Sequence, residues 1–407
     1  MARLPSPNLD PAADAAALLR RLGFGTLLLL VPLAALTTRR GVIVLVPIGI
    51  SLLVIAAALD GVHRPIAPAL TRLLRSRAGL AIAVVLAWCA LSLIWTPFLG
   101  AAAERLVNVA TTAVLTIAGY LAIPDRMRSA NLYLIPLGAA AAAILAILLA
   151  VFGWPGGRAP AEAGQNLDRG LTVLAVMAWP AVSWLRSRGR HLEALGVGVL
   201  VAVAALLGPQ PIPALALAAG GFAFALTVAR PHLGVRAAAF VMAGVLAVAP
   251  LIPFVLRPLA STLLPGSATG RGLGVWRNVV TSEPVRLVTG HGFETALRGR
   301  FDGLLPVNAP STVLFEVWYE LGIVGALALA YALYAGTLAS ERSNPSLVPG
   351  IVAAIATAFA VACLGIGAAQ MWWQTALAVV ALAFVAAERG QFRTTRPKAR
   401  IMRSGKR

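Results

Sequence analysis

Long apolar segments alternate with short polar connections along almost the whole chain. About twelve of these segments are long enough to cross the hydrocarbon layer of a bilayer as helices. They lie near residues 22–37, 41–59, 79–95, 105–123, 132–152, 170–185, 194–208, 212–229, 237–256, 318–339, 348–367 and 374–387. The pattern predicts an all-α polytopic membrane protein, and several of the segments are short enough to change the count by one or two.

The same pattern divides the chain into five parts. These are a short N-terminal segment (1–21), a first helical bundle (22–256), a long loop (257–317), a last group of spans (318–387) and a basic tail (388–407). The first apolar run resembles a signal peptide, but a second run follows almost at once. We therefore interpret it as a first span.

Arginines concentrate in alternate connections, which sets the predicted orientation. Basic residues are normally retained on the cytoplasmic side of a membrane. One set of connections holds Arg64, Arg72, Arg75, Arg77, Arg126, Arg128, Arg186, Arg188, Arg190, Arg230, Arg236 and Arg342, and the tail continues it. We place this set and both termini in the cytoplasm, and we expect the tail to contact anionic lipid.

Composition excludes several other classes of protein. The chain is 59% hydrophobic and 12% charged, with a mean hydropathy of +0.85, which no soluble domain of 407 residues could hide in one core. The formal charge of +19 comes largely from orienting arginines, so nucleic-acid binding is not expected. Cys89 and Cys363 lie in apolar runs without CxxC spacing. Neither a disulfide nor a metal site is predicted.

The connection from about residue 257 to residue 310 breaks the orientation rule. It falls on the predicted exterior side, yet it contains Arg257, Arg271, Arg277, Arg286, Arg298 and Arg300. Binding an anion is the simplest reason for arginines in that place. Two other interpretations stay open, namely pairing with the loop acids Glu283, Glu294 and Asp302, or contact with lipid headgroups.

Two motifs inside this loop could contribute to a site. Leu273, Trp276 and Val280 recur at helical spacing and predict a short amphipathic helix on the membrane surface. Residues 289–294 read Thr-Gly-His-Gly-Phe-Glu, and the two glycines permit a tight turn around His291. A single GxG is weak evidence for a phosphate-binding loop, so no nucleotide site is inferred.

A third motif begins the next span. Ser311 and Thr312 follow a proline and suit the start of a helix. Glu316 and Glu320 are four residues apart and therefore share one helical face. A carboxylate at a membrane boundary is costly unless it is paired or hydrated. Both structural pairing with exterior arginines and participation in a site remain open for these two residues.

The order of these features resembles that of the O-antigen ligase and polymerase family of bacterial inner-membrane glycosyltransferases. The matching features are residues 91–95 (Leu-Ser-Leu-Ile-Trp), 166–170 (Asn-Leu-Asp-Arg-Gly), Arg271 with Trp276, the turn 290–292, and the ending 318–322. The likeness covers most of the chain in topology. Its specific part runs from about residue 271 to residue 325.

The resemblance implies a GT-C-like transferase in the bacterial inner membrane, with its site facing the periplasm and with neither metal nor cofactor. It would move a glycan from undecaprenyl diphosphate to lipid A-core, as a ligase, or to another glycan, as a polymerase. We favour the ligase. Arg169, Arg271 and Arg277 would then hold the diphosphate, because guanidinium groups suit phosphate oxygens. Trp276 and Phe293 would border the sugar.

The remaining site predictions concern the acceptor. Family ligases have a His-Asn pair shortly before the Glu-Leu-Gly ending, where this chain has Ser311 and Thr312. The other histidines fall in predicted cytoplasmic connections, so His291 is the exterior imidazole that could act as the base. Glu316 or Glu294 could serve instead. The predicted catalytic residues are thus His291, Glu316 and Ser311, with Arg298 and Thr312 as further substrate-binding candidates.

The sequence leaves other functions open beside the enzyme. Ser311 could mark a divergent branch with another acceptor, or the chain could bind glycolipid without turning it over. A transporter or flippase of anionic or lipid-linked solutes is an alternative, but we find no internal duplication and most charge lies at the predicted membrane edges. A structural subunit would not require exterior arginines.

Overall fold

The computed structural model describes residues 11–38, 40–61, 68, 70–71, 74–127, 129–154, 160–263, 268–365 and 370–390. Within these ranges the chain is helical and contains no strand. The helices used below are α1 (Pro11–Thr37), α2 (Gly41–Leu59), α3 (Arg77–Ser92), α4 (Leu99–Ala122), α5 (Ser129–Phe152), α6 (Pro160–Ser187), α7 (His191–Leu206), α8 (Ile212–Ala229), α9 (Pro231–Ala247), α10 (Ile252–Leu263), α11 (Ala268–Ser282), α12 (Arg286–Thr289), α13 (Thr295–Phe301), α14 (Val313–Ala339), α15 (Val348–Leu364) and α16 (Met371–Arg389).

Seven of the described helices are long and apolar enough to cross a membrane, and they are α1, α2, α4, α5, α8, α14 and α16. An eighth span results if α9 and the segment Ala249–Pro258, which meet at a bend of 60°, are counted together. The shorter apolar helices are α3, α7 and α15. A helix overlaps each of the twelve predicted spans, while the number of spans that cross the bilayer stays a prediction.

Helix α6 forms the centre of the bundle. Every residue from 170 to 185 is buried, and the helix packs against α1, α5, α7, α8, α15 and α16. The indole Nε1–H of Trp179 donates a 2.7 Å hydrogen bond to Oγ1 of Thr357 on α15. A helix that is apolar on all sides is expected in such a central position, where neighbouring helices rather than lipid surround it.

The outer helices present large apolar side chains to their surroundings. Val114 is 66% exposed, Phe222 and Phe240 are each 73% exposed, and Leu148 is 46% exposed. In water this surface would be strongly unfavourable, whereas hydrocarbon tails accept it without cost. The exposed surface therefore agrees with the hydropathy pattern and supports a membrane protein.

The predicted long loop is largely helical, since α11, α12 and α13 lie within it and the second half of α10 extends into it. The helix after the loop begins at Val313 rather than near residue 318, so Glu316 and Glu320 both lie inside α14. Among the predicted cytoplasmic residues, Arg64, Arg72, Arg128 and the tail beyond residue 390 lie outside the described residues.

Candidate functional site

Helix α14 is broken at Gly322, which has φ 62° and ψ −161°. A break of this kind separates the preceding carbonyl groups, residues 319–321, from their usual helical donors. Here other segments supply the donors. The carbonyl oxygen of Tyr319 accepts a hydrogen bond from the backbone N–H of His291 (2.8 Å), and that of Glu320 accepts one from the backbone N–H of Gly292 (3.0 Å). The carbonyl oxygen of Leu321 accepts a hydrogen bond from the indole Nε1–H of Trp88 (2.8 Å). The Gly-His-Gly turn is thus fastened to the broken helix.

Two glycines allow this close approach. A Cβ atom at Gly290 would lie 2.2 Å from the carbonyl oxygen of Glu320, and one at Gly322 would lie 2.5 Å from the carbonyl oxygen of Val288. Both glycines also have a positive φ, which a residue with a side chain adopts only at an energetic cost. Neither position can accept a side chain unless the turn and the helix move apart.

His291 has both ring nitrogens against hydrogen-bond acceptors. Nδ1 lies 3.0 Å from the carbonyl oxygen of Tyr319, and Nε2 lies 3.0 Å from Oε2 of Glu283. With Glu283 ionised, both contacts are hydrogen bonds only when the imidazole carries a proton on each nitrogen. The ring also stacks on Tyr319, with 3.9 Å between centroids and 12° between planes. The geometry therefore suits an imidazolium with the Glu283 carboxylate as its counter-ion.

The His291–Glu283 pair forms one wall of a narrow cleft rich in aromatic side chains. The cleft is lined by Trp276, Val279, Val280, Glu283, Arg286, Leu287, His291, Phe315, Trp318 and Tyr319. Its volume is about 10 Å³, which is room for a single water. Glu283 and Arg286 are exposed at its rim, while the aromatic side chains are buried. A larger ligand therefore enters only if the exposed rim moves outward.

Behind the turn lies a buried group of ions. Arg105 of α4 is 8% exposed, and its Nη1 pairs with Glu294 and lies 3.6 Å from Oε2 of Glu320. The other oxygen of Glu320 accepts a hydrogen bond from the backbone N–H of Ala296 at 3.1 Å. Glu294 has a φ of 70°, a strained value for a residue with a side chain. Phe293 is buried, and the Arg105 guanidinium carbon lies 4.7 Å from the centroid of its ring, while its predicted contact with the sugar stays a prediction.

A second buried pair joins α13 to α14. Nη2 of Arg300 lies 3.2 Å from Oε1 of Glu316 and donates a 2.7 Å hydrogen bond to the carbonyl oxygen of Pro310. Glu316 is only 2% exposed. Of the two interpretations left open for Glu316, this is the structural pairing. The carboxylate is buried and bound to a cation, and its predicted catalytic role stays a prediction.

Helix α11 divides its predicted site residues between two faces. Trp276 is buried, faces the cleft, and meets the ring of Phe315 edge-on with 5.7 Å between centroids. Arg271 and Arg277 are exposed and stand three residues on either side of Gly274, which puts them on the opposite face. A Cβ atom at Gly274 would lie 3.8 Å from Nε of Arg257. Arg271 and Arg277 thus lie on the face of α11 that Arg257 approaches, away from the face that carries Trp276.

The other predicted residues occupy separate positions. Arg169 lies on the central helix α6, a different group of helices from that of His291. Nε of Arg298 lies 3.9 Å from a carboxylate oxygen of Glu294. Ser311 is exposed, and Thr312 caps α14 by accepting a hydrogen bond from a backbone N–H in its first turn. No catalytic geometry links Ser311 to His291 among the described contacts.

Sequence reasoning did not assign Arg105, Glu283 or Arg286 to the site. Arg105 did carry a signal, because an arginine at the start of an apolar run is expensive in a membrane and therefore marks a function or a buried pair. The partnership of Glu283 with His291 follows no spacing rule of a regular helix or strand. It arises from the path of the turn between α11 and α13.

An apolar groove of about 580 Å³ runs beside the cleft, between α14, α15 and α16. Its lining includes Leu246 and Val313 near the start of α14 and Ser343 and Glu388 beyond the far end of that helix. A helix of that length extends roughly 40 Å, comparable to a bilayer. The indole Nε1–H of Trp318, in the cleft, donates a 2.8 Å hydrogen bond to the carbonyl oxygen of Leu246 in the groove. The two spaces are therefore neighbours.

Comparison of the chain with protein-family models, curated proteins and solved structures finds no match.

Proposed function

We propose that this protein is a glycosyltransferase that moves a glycan from a polyprenyl diphosphate carrier to an acceptor at the membrane surface, as an O-antigen ligase does. One observation carries the proposal. The polar, aromatic cleft and the long apolar groove share helix α14 and are joined through Trp318 and Leu246. A glycan on a polyprenyl carrier has a sugar, an anionic linker and an apolar tail, and it needs such environments side by side.

The walls of the cleft suit the sugar part of this substrate, which enters when the exposed rim carrying Glu283 and Arg286 moves outward. Trp276, Phe315, Trp318 and Tyr319 supply aromatic surface, which packs against the apolar faces of sugar rings. Glu283 and His291 supply polar groups at the same place. Small-molecule sites commonly combine apolar walls with a few convergent polar groups in this way.

The charged groups suit the chemistry of transfer. In this proposal the acceptor hydroxyl attacks the anomeric carbon, the bond from that carbon to the diphosphate oxygen breaks, and the carrier leaves as its diphosphate. The Glu283 carboxylate, held by Nε2–H of His291, takes the proton of the hydroxyl. Arg286 at the rim and the His291 imidazolium counter the negative charge that grows on the diphosphate.

The outer arginines have a complementary role in the proposal. Arg271 and Arg277 are exposed on the face of α11 that lies away from Trp276, and the exposed Arg257 of α10 approaches this face near Gly274. Guanidinium groups bind phosphate oxygens with two parallel hydrogen bonds. These arginines would attract the anionic carrier before its sugar enters the cleft, whereas Arg286 would act during transfer.

The proposal is tested in a strain from which the gene has been deleted. The strain is complemented with the wild-type gene, with Glu283→Gln, or with Asp302→Asn as a control for an exposed carboxylate of the same region. Extracted lipopolysaccharide and undecaprenyl-linked glycan are then analysed. Loss of long-chain lipopolysaccharide with accumulation of carrier-linked polymer identifies a ligase, and accumulation of single-repeat carriers identifies a polymerase. Unchanged profiles in the deletion strain contradict both.

A further inference from the structure

A second polar pocket lies at the opposite end of α4 from the candidate site. It has a volume of about 470 Å³ and is lined by Ala13, Ala17, Leu18, Arg20, Arg21, Asp60, Pro124, Arg126, Met127, Ala130 and Asn131. Arg105 lies near the start of α4, and the pocket lies just beyond its end at Ala122. The intervening helix separates the two by roughly 25 Å. By the charge pattern of the sequence, this is the cytoplasmic side.

The lining of this pocket carries an excess of positive charge. Arg20 of α1 pairs with Asp60 at the end of α2. Asp60 is the acidic residue among the described lining, against Arg20, Arg21 and Arg126, so the formal surplus is two positive charges. Arg21 and Arg126 are exposed at the pocket, where a ligand can reach their side chains. The buried side chain of Asn131 adds an amide that can donate a hydrogen bond.

The remaining lining is apolar and continues onto the outer surface. Ala13, Ala17 and Leu18 lie on α1, and Leu18 is 59% exposed. Leu22, one turn further along α1 toward the predicted membrane interior, is 51% exposed. A ligand with both an anionic group and an attached hydrocarbon chain would fit this arrangement, since the charge meets arginines and the chain follows exposed leucines.

We infer that this pocket binds the headgroup phosphodiester of an acidic phospholipid, such as phosphatidylglycerol or cardiolipin. Basic pockets between membrane helices on the cytoplasmic side are suited to such headgroups, and each arginine near the membrane surface strengthens binding. The apolar path along α1 favours a lipid over free phosphate, which could not use it. This site is independent of the proposed transferase function and of the residues assigned to it.

The test uses the purified full-length protein in neutral detergent, with phosphatidylglycerol as the probe and phosphatidylcholine and inorganic phosphate as comparisons. Binding is measured by native mass spectrometry and by the shift of the thermal unfolding midpoint. Arg21→Ala with Arg126→Ala removes the charge, while Arg21→Lys with Arg126→Lys keeps it. Arg236→Ala is the control, because Arg236 is exposed on the same predicted side outside the pocket.

We expect the double alanine variant to bind phosphatidylglycerol on the order of 25-fold more weakly, about fivefold for each arginine. The lysine variant and Arg236→Ala should bind it as the wild type does, and phosphatidylcholine should give no shift. Equal affinity of the double alanine variant and the wild type would overturn the inference. So would inorganic phosphate that stabilises the protein as strongly as the lipid, because the pocket would then be a simple anion site.

Discussion

At the scale of single residues, the candidate site contains a network of paired charges that is mostly buried, with Arg298 exposed at its edge. Three arginines face three glutamates where α4, α13 and α14 meet, and they are Arg105, Arg298, Arg300, Glu294, Glu316 and Glu320. Such pairs contribute little net stability, since removing the ions from water offsets their attraction. Loss of one partner, in contrast, destabilises the protein strongly, because the other charge is left buried and unpaired.

Replacing Arg105 with Gln should therefore destabilise the protein strongly. The change leaves Glu294 and Glu320 buried without their shared cation, and we expect a loss of about 3–5 kcal/mol in the free energy of unfolding. Chemical denaturation of the purified protein in detergent measures the loss. Arg257→Gln is the matched control, because Arg257 is exposed. A loss no larger than that of the control would show that the buried pairing is unimportant.

The Glu283–His291 pair gives the second prediction at this scale. Glu283→Gln keeps the size of the side chain but removes its ability to accept a proton, so transfer should slow by about 10²–10⁴-fold. His291→Ala should have an effect of similar size, and the double variant should be little worse than either, because the two residues act as one unit. Steady-state rates with a carrier-linked glycan are the measurement, with Asp302→Asn as the control. Wild-type rates in Glu283→Gln would remove the pair from the mechanism.

At the scale of secondary-structure elements, the site depends on a break in α14. The break exposes carbonyl groups of residues 319–321, and the turn around His291 supplies donors to two of them. His291 is therefore fixed by hydrogen bonds from its backbone N–H and from its ring nitrogens. The sequence predicted both the turn and the helix, and its two glycines indicated a turn. It did not predict that the turn docks on the helix, because hydrogen bonds between separate segments leave no periodic signal.

Gly290→Ala should disrupt this docking. Its new methyl group would lie 2.2 Å from the carbonyl oxygen of Glu320, so the turn must separate from the helix. We expect loss of transfer activity and a lower thermal unfolding midpoint. Gly336→Ala, in the helix α14 on which the turn docks, is the control, since its methyl group would meet the nearest side chain at 4.0 Å. If Gly290→Ala behaves like the control, the docking is not needed for the site.

At the scale of the whole molecule, the cleft and the groove form one continuous arrangement along α14. The cleft lies at the start of the helix, and the groove extends beyond its far end. Most residues of the groove come from α14, α15 and α16, and Leu246 of α9 joins them. A lipid tail in the groove would hold the attached sugar at the level of His291.

Filling the groove should therefore weaken binding of the lipid-linked donor. Ala381 lines the groove and is exposed to it, so Ala381→Trp adds bulk without disturbing the core. Displacing about two methylene groups of a tail, each worth about 0.8 kcal/mol, should raise KM roughly tenfold with little change in kcat. Ala113→Trp on α4, also exposed, is the control. An unchanged KM for a full-length carrier would show that the tail lies elsewhere.

The sequence by itself determined that the chain is helical and suited to a membrane, where its main helices lie, and that a turn surrounds His291. Hydropathy and glycine content are local properties, so they are readable without the fold. The tertiary structure decided that α6 is the buried centre, that Glu316 pairs with Arg300, and that Arg271 and Arg277 face away from the cleft. It also joined Arg105 to Glu294 across 189 positions of the chain. Such partners are determined by how the helices pack. Packing depends on many weak contacts along the whole chain, so no single position in the sequence indicates it.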